Sequence, residues 1–208
     1  MHAIILAAGH LSVTPRVQAL AQAASLVIAA DGGARHAIAL GLTVTQWVGD
    51  FDSSDGIVLN APRQTFPKEK DMTDLELALI CAKSLGATST MILGAFGGRF
   101  DHALAIALLA ARESQNGFEI ALESGNEAGW VITTQHRIAL EPNQTFSLLA
   151  LEPCVGLRLS GAKWNLEQSS LGVGSSLGIS NIALGAITVS LESGCALLIA
   201  QFEHLTKT

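Results

Sequence analysis

The sequence has few charged residues, no basic run and no long apolar run. Charged residues make up 14% and apolar residues 49% of its 208 residues, which excludes a disordered chain and predicts a globular protein with a sizeable core. The net charge of −6 argues against nucleic acid as the main partner. Apolar runs such as 103–111 are shorter than the roughly 18 residues that a membrane span needs. No membrane partner is therefore expected.

Cysteine is scarce, and a phosphate-binding loop is missing. Cys81, Cys154 and Cys195 are widely spaced without a metal-ligand pattern, so we interpret them as buried thiols of a reducing compartment. The apolar start of the chain has no basic residues before it, which favours a first buried strand over a secretory signal. We therefore expect a cytoplasmic protein. Because no G-x-x-x-x-G-K-[ST] segment occurs, a nucleotide would have to be bound in another way.

The first part of the chain alternates predicted strands and helices. The continuous apolar runs 4–8, 26–30 and 44–48 predict buried strands of a parallel sheet. Helix starts are marked by Thr14-Pro15 and by the capping box Thr73-x-x-Glu76. This alternation predicts a doubly wound, mainly parallel α/β sheet.

The residue pattern of the sequence changes from about Asn126 onward. Helical periodicity disappears, and short β-rich runs between Gly, Ser, Asn and Pro clusters predict an antiparallel β-sandwich or barrel. The runs are 130–134, 137–140, 146–151, 156–159, 186–191 and 196–202. We therefore expect two domains, an α/β domain at 1–125 and a β domain at 126–208.

Two carboxylates, Asp50 and Asp52, directly follow the third predicted strand. In an extended chain they point to one face while Phe51 points to the other. Carboxylates this close repel each other, and a bound cation relieves the repulsion. The most natural cation is Mg²⁺, which proteins hold with carboxylates together with substrate phosphates. The alternative is a simple turn, because Gly, Asp and Ser are turn formers.

Further candidate residues follow other predicted strands or begin helices. They are Asp31, Asp71, Asp74, Arg99 and Asp101. Gly97-Gly98-Arg99 before a helix is typical of an anion site, because glycines let the backbone approach a phosphate and Arg clamps it. Asp74 and Asp101 have an alternative interpretation as helix-start residues. Since the carboxyl ends of parallel strands share one edge, the groups together favour a metal–polyphosphate site.

Several segments resemble, in order, the motifs of the thiamine pyrophosphokinase family. They are Asp31-Gly32-Gly33-Ala34, Gly49-Asp50-Phe51-Asp52-Ser53, Lys70-Asp71-Met72-Thr73-Asp74-x-Glu76, Gly97-Gly98-Arg99-Phe100-Asp101-His102, Gly161-Ala162-Lys163-Trp164-Asn165-Leu166 and Gly178-Ile179-Ser180-Asn181. The resemblance covers nearly the whole chain. Three residues depart from the family pattern. Arg35 stands where the family often has Asn, Ala162 where it often has Leu, and Ala150 where it often has Pro.

The resemblance implies an α/β domain followed by a β-sandwich, assembled as a homodimer with active sites between subunits. It implies transfer of a pyrophosphoryl group from ATP to the thiamine hydroxyl, with Mg²⁺ held by Asp50, Asp52 and Asp74. The implied nucleotide contacts are Asp31, Gly32, Lys70, Asp71, Thr73, Gly98 and Arg99. Arg99 and Asp101 would lie at the transferring phosphates and the acceptor hydroxyl.

For thiamine, the resemblance implies contacts with Trp164, Ser180 and Asn181, besides Asp101. A Trp face attracts a cation such as thiazolium by about 0.5–2 kcal/mol, although Trp164 has an alternative interpretation as a core residue. Two other functions stay open. A metal-dependent phosphohydrolase would use the same carboxylates with water as acceptor, and a non-catalytic sensor would keep only the binding pocket.

Overall fold

Alternating strands and helices build the first part of the chain. The computed structural model describes residues 1–54 and 56–202. Two compact units result, one containing Met1–Leu109 and Phe118–Gly125, the other Ala110–Gly117 and the chain from Asn126 onward. The strands of the first unit are β1 (His2–Leu6), β2 (Leu26–Ala30), β3 (Gln46–Gly49), β4 (Arg63–Thr65), β5 (Ser89–Leu93) and β6 (Glu119–Glu123). The helices are α1 (Pro15–Gln22), α2 (Ala34–Leu40), α3 (Asp74–Ser84) and α4 (Phe100–Gln115), the last contributing to both units.

The strands of the first unit form a parallel sheet in the order β4-β3-β2-β1-β5-β6. From β1 the chain proceeds outward through β2, β3 and β4, and it then returns to place β5 on the other side of β1. The strand order therefore reverses between β1 and β5, and open α/β sheets bind ligands beyond the strand ends at such a point. The predicted parallel α/β architecture is confirmed.

Helices cover both faces of this sheet. Ile4, Val27 and Trp47 are buried in one cluster with Val17 of α1 and Leu40 of α2. Because side chains alternate along a strand, the neighbouring strand residues face the other side, where α3 packs on β1, β2 and β3. Burial on both faces explains why these strands are continuous apolar runs rather than alternating ones.

The predicted helix starts agree with the structure. The Thr14 side chain accepts a hydrogen bond from the Val17 N–H, and Pro15 is the first residue of α1. Thr73 and Glu76 form a complete capping box at the start of α3. No helix within residues 1–54 and 56–202 combines the length and the apolar character that crossing a membrane requires.

The second unit consists mainly of antiparallel strands. They are β7 (Glu127–Ile132), β8 (Gln135–Ile138), β9 (Thr145–Ala162), β10 (Leu166–Leu171), β11 (Asn181–Ser190) and β12 (Ser193–Gln201). β12 pairs antiparallel with β7 on one side and β9 on the other, β10 pairs with β9, and β8 pairs with β11. The predicted antiparallel β architecture is thus confirmed.

The largest differences from the sequence prediction concern the three strands β4, β9 and β10. The runs 146–151 and 156–159 belong to one strand of 18 residues, β9, whose two ends both pair with β11. Its first half and its second half contribute Phe146 and Leu159 to the same buried cluster. β4 and β10 were not predicted. β4 has only three residues, all of them exposed, and therefore carries no hydrophobic pattern.

Candidate active site

The segment after β3 is a turn and not an extended chain. Phe51 has a φ of 65°, and the Asp52 N–H donates a hydrogen bond to Asp50 Oδ1 at 3.2 Å. The expectation that Asp50 and Asp52 share one face of an extended segment is therefore wrong. The turn is fixed by the Phe51 ring, which packs edge-on against Trp47 with ring centroids 5.1 Å apart.

Asp31 lies in a short 3-10 turn directly after β2 and is only 7% exposed. Its two carboxylate oxygens accept hydrogen bonds from the hydroxyls of Ser53 and Ser54. Its backbone carbonyl accepts a hydrogen bond of 2.9 Å from Trp47 Nε1. These bonds fasten the end of β2 to the turn that follows β3 and hold the Asp31 carboxylate in one orientation.

Three carboxylates meet at this edge of the sheet. One oxygen each of Asp31, Asp50 and Asp74 lies within 4.8 Å of the others. Asp31 follows β2, Asp50 follows β3, and Asp74 begins α3, so the strand order brings them together. Asp52 lies outside this cluster and pairs instead with Lys68 at 2.7 Å, on the exposed surface.

Lys70 supplies positive charge to the cluster. Its Nζ lies 3.4 Å from Asp50 Oδ2 and 3.0 Å from Asp74 Oδ1. Burial lowers the pKa of Lys70, but its two carboxylate partners outweigh this effect and the pKa is raised. The pKa of Asp50 is lowered, chiefly by the hydrogen bond from the Asp52 N–H.

Asp74 is the least satisfied member of the cluster. Burial raises its pKa above the usual value in spite of Lys70, and the charges of Asp50 and Asp31 add to the rise. Its buried Oδ1 is contacted by Lys70 Nζ at 3.0 Å, and Lys70 is shared with Asp50. One ammonium beside three carboxylates leaves an excess of negative charge, which fits a hard divalent cation.

Of the other residues predicted beside the nucleotide, Asp71 is exposed. The Thr73 hydroxyl is engaged in the capping box, where it accepts from the Glu76 N–H at 3.2 Å. Gly98 is exposed with a φ of 75°, and no atom lies within 4 Å of the position that a Cβ would occupy. The backbone at Gly98 is therefore open to close approach by a ligand.

Arg99 and Asp101 pair with each other on the exposed surface. Arg99 Nε and Nη2 lie 3.1 and 2.6 Å from the two Asp101 oxygens. This pairing lowers the pKa of Asp101 and raises that of Arg99. Asp101 is a poor base while it is paired, so use of either group on a substrate requires the pair to open.

In the second unit, Trp164 and Asn181 lie together. The Asn181 side chain accepts from the Trp164 N–H at 3.2 Å and donates to its carbonyl at 2.8 Å. Trp164 is 52% exposed, which makes the alternative interpretation as a core residue wrong. Lys163 Nζ lies 4.6 Å from the ring centroid, so a cation already occupies this aromatic face.

Ser180 lines an open cavity of about 240 Å³ in the same unit. The Ser180 N–H donates to the Ser147 hydroxyl at 3.1 Å, and Ser147 and Glu127 also line the cavity. The sequence did not single out these two residues or Ser54, and it gave no role to Ser53, which stands in one of the family motifs. The serines directly follow Asp52, but their bonds to Asp31 depend on the pairing of β2 with β3.

His36 is a buried histidine behind the strand ends. It is 8% exposed, and Nε2 lies 2.9 Å from the Gly9 carbonyl oxygen. Burial lowers its pKa from the usual 6.5, and the neighbouring Arg35 and His10 add to this. His36 is therefore neutral at pH 7 in the folded state, where its Nε2–H donates to Gly9.

The lowered pKa predicts a pH-dependent stability. As the pH falls below about 6.5, the unfolded chain binds a proton at His36 before the folded chain does, so folded stability is lost. Replacement of His36 by Gln is expected to reduce the loss of stability between about pH 7 and pH 5. Urea denaturation at both pH values measures it, and an equal loss in both proteins would contradict the assignment.

The fold and the acidic cluster together define a class: α/β proteins with an acidic site at the carboxyl ends of a parallel sheet, here followed by an antiparallel β unit. Comparison with known proteins is more specific. Residues 17–122 match the family of the thiamin pyrophosphokinase catalytic domain, and residues 135–196 match that of the thiamin pyrophosphokinase vitamin B1 binding domain. The chain belongs to the thiamin pyrophosphokinase family, as its motifs predicted.

Individual relatives agree with this membership. The chain is 28% identical to the thiamine pyrophosphokinase of Bacillus subtilis over 205 residues, which cover 94% of this chain and 96% of that protein. The crystal structure of thiamine pyrophosphokinase from B. subtilis matches with a TM-score of 0.82 and 25% identity over 98% of this chain and 100% of that one. Thiamin pyrophosphokinase from Candida albicans shares the fold, with a TM-score of 0.76 at 15% identity, over 97% of this chain and 89% of that one. The protein is thus an enzyme, a transferase of the family that forms thiamine diphosphate from thiamine.

Proposed function

We propose that this enzyme transfers the pyrophosphoryl group of ATP to the hydroxyl of thiamine, giving thiamine diphosphate and AMP. The observation that carries the proposal is the cluster of Asp31, Asp50 and Asp74, whose negative charge Lys70 offsets only in part. In this proposal residues 1–125 form the catalytic domain, which binds ATP and Mg²⁺, and residues 126–208 form the thiamine-binding domain.

Mg²⁺ is proposed to be held by Asp50 and Asp74, with Asp52 as the third ligand expected from the sequence. Asp31 is an additional candidate, because its oxygen lies in the cluster, whereas Asp52 would first have to leave Lys68. When bound, the cation would neutralise the charge of the nucleotide phosphates. Lys70, Asp71, Thr73, Gly32 and Gly98 remain proposed nucleotide contacts.

Arg99 is proposed to bind the transferring phosphates with its guanidinium, which is bidentate and permanently charged. When Arg99 leaves Asp101 to bind the phosphates, the Asp101 carboxylate would become free. Asp101 would then orient the thiamine hydroxyl or accept its proton as the oxygen attacks the β-phosphorus in line. An Asp101 released from Arg99 is a better base than the paired one, because Arg99 is the main cause of its low pKa.

The thiamine rings are proposed to stack on the exposed face of Trp164. Lys163 Nζ lies 4.6 Å from the centre of this ring, and displacement of its flexible ammonium by the thiazolium would exchange one cation–π contact for another. Asn181 would hold the Trp164 backbone in place, and Ser180 would contribute to the pocket beside it.

We further propose a cytoplasmic homodimer with active sites between subunits. The three cysteines are free thiols, as in proteins of a reducing compartment. Several large apolar side chains of the second unit are exposed, among them Val173, Leu177 and Leu184. Exposed apolar side chains of this size favour burial against a partner.

The decisive test is an end-point assay with purified protein, Mg²⁺, ATP and thiamine that resolves AMP, ADP and the phosphorylated thiamines. Thiamine-dependent AMP with thiamine diphosphate is the expected result. ADP with thiamine monophosphate would contradict pyrophosphoryl transfer. ATP hydrolysis that is indifferent to thiamine would favour the phosphohydrolase, and binding without turnover would favour the sensor.

A further inference from the structure

Arg35 is a charged residue that the proposed mechanism does not use. Its Nε donates a hydrogen bond of 2.8 Å to the Gly32 carbonyl, and its Nη2 donates one of 3.2 Å to the Ala8 carbonyl. Gly32 follows β2 and Ala8 follows β1, so the guanidinium lies across the carboxyl ends of two neighbouring strands. The two bonds fix the plane of the guanidinium on the rigid part of the fold.

The outer edge of this guanidinium is available to a ligand. Arg has five N–H donors, and the two bonds to the backbone use only two of them. In residues 1–54 and 56–202 the remaining donors of Arg35 have no hydrogen-bond acceptor, and the residue is exposed. A guanidinium with two N–H groups bonded to the backbone and the others exposed can bind an anion bidentately. Its long side chain does not have to be ordered first.

The position of Arg35 relates it to the acidic cluster. A Cβ added to Gly32 would lie 3.1 Å from Arg35 Nη2 and 3.2 Å from the Ser53 hydroxyl. That hydroxyl donates to Asp31, a member of the carboxylate cluster. The guanidinium and Ser53 thus flank the same position, the one where Gly32 lacks a side chain. Arg35 therefore stands directly beside the cluster, on the side of β1 where the strand order reverses.

We propose that Arg35 binds the polyphosphate of the nucleotide, in an inference that rests on the proposed use of ATP. The acidic cluster repels an anion unless a cation lies between them. A polyphosphate that this cation holds at one end needs a positive partner for its other phosphate groups. Arg35 is such a partner at the point where open α/β sheets bind ligands. It is thus a second phosphate clamp in addition to Arg99.

The competing explanation is that Arg35 only crosslinks the two strand ends. In that case loss of Arg35 would lower the melting temperature and weaken the binding of both substrates alike. Lysine at this position would restore the part that a positive charge contributes. A phosphate clamp would instead affect the nucleotide alone, and lysine, which lacks the planar fork, would restore binding incompletely. The two explanations therefore differ in which ligand is affected and in the behaviour of the conservative variant.

The experiment compares the wild type with Arg35→Gln, Arg35→Lys and Arg158→Gln by isothermal titration calorimetry. The probe is the Mg²⁺ complex of an ATP analogue with methylene groups in place of both bridging oxygens of the triphosphate, which is not cleaved. Arg158 is the control, because it is an exposed arginine in β9 of the second unit. KM for thiamine and the melting temperature are measured alongside.

For Arg35→Gln we expect the Kd of the analogue to rise about 10-fold to 100-fold, the range for a lost charged hydrogen bond. Arg35→Lys should fall between Gln and the wild type, while Arg158→Gln and the KM for thiamine should stay within about twofold. Analogue binding by Arg35→Gln as tight as by Arg158→Gln would overturn the inference. Should Arg35→Gln fail to fold, wild-type affinity of Arg35→Lys would overturn it.

Failure of this inference is separable from failure of the proposed function. If the wild type makes no thiamine diphosphate, the reaction proposed above is wrong, but the calorimetry still reports whether Arg35 binds the polyphosphate. If the wild type makes thiamine diphosphate and both Arg35 variants bind the analogue normally, only the inference about Arg35 is wrong.

Discussion

Replacement of Asp50 by Asn is expected to reduce turnover by more than about a hundredfold, because residues that merely support a metal ligand already cost 10-fold to 100-fold. Asp50 belongs to the carboxylate cluster and has a lowered pKa, so it is ionised and ready to bind a cation at neutral pH. Asn keeps the size of the side chain but provides a weaker ligand without charge. The measurement is kcat at saturating ATP and thiamine over a range of Mg²⁺ concentrations.

The matched control for Asp50→Asn is Glu167→Gln, which removes one negative charge from an exposed position of β10. The control should keep wild-type turnover, and circular dichroism should show both variants folded. Normal kcat of Asp50→Asn at limiting Mg²⁺ would refute the proposed metal ligand. Asp52→Asn adds a comparison, since a smaller loss than for Asp50→Asn would favour Asp31 over Asp52 as the third ligand.

Replacement of Trp164 by Ala is expected to weaken thiamine binding roughly tenfold, within the range for a lost cation–π contact of about 0.5–2 kcal/mol. Trp164 is 52% exposed and Lys163 lies against one face of its ring, so the ring is positioned for stacking and not for the core. Calorimetric titration with thiamine measures the effect. Nucleotide binding by the same variant should be unchanged.

Two further variants make the Trp164 prediction specific. Trp164→Phe keeps an aromatic face and should retain most of the affinity for thiamine. If Trp164 acted only as a hydrophobic surface, the affinity would instead depend on the size of the side chain alone. Val155→Ala, at a residue of the same unit that is 49% exposed, should leave thiamine affinity unchanged. Unchanged affinity of Trp164→Ala would rule out stacking and would favour the phosphohydrolase, which needs no aromatic acceptor pocket.

The parallel part of the fold was predictable because its signals are local. β2 is a continuous apolar run that is buried at every position, and the capping box of Thr73 and Glu76 depends on residues only three apart. The carboxylates were predicted to meet because parallel strands end at one edge. Membership in the family was likewise readable from motifs in order along the chain.

The remaining features depend on pairings that no local pattern contains. Pro153 and Gly156 interrupt the hydrophobic pattern of β9, so one strand was predicted as two. The turn at Phe51 requires a positive φ that is uncommon for a bulky side chain and that Trp47 helps to hold. Inclusion of Asp31 in the cluster requires knowledge that β2 lies beside β3.

β9 also governs how the second unit must reach its native state. It pairs with β10, β11 and β12, and in these ladders Phe146 lies opposite both Asn181 and Ala200. Such pairings join residues far apart in sequence, so loop closure makes them slow to form. We expect the second unit to acquire protection from hydrogen exchange late and in a single phase, because a misaligned β9 would misalign three ladders at once.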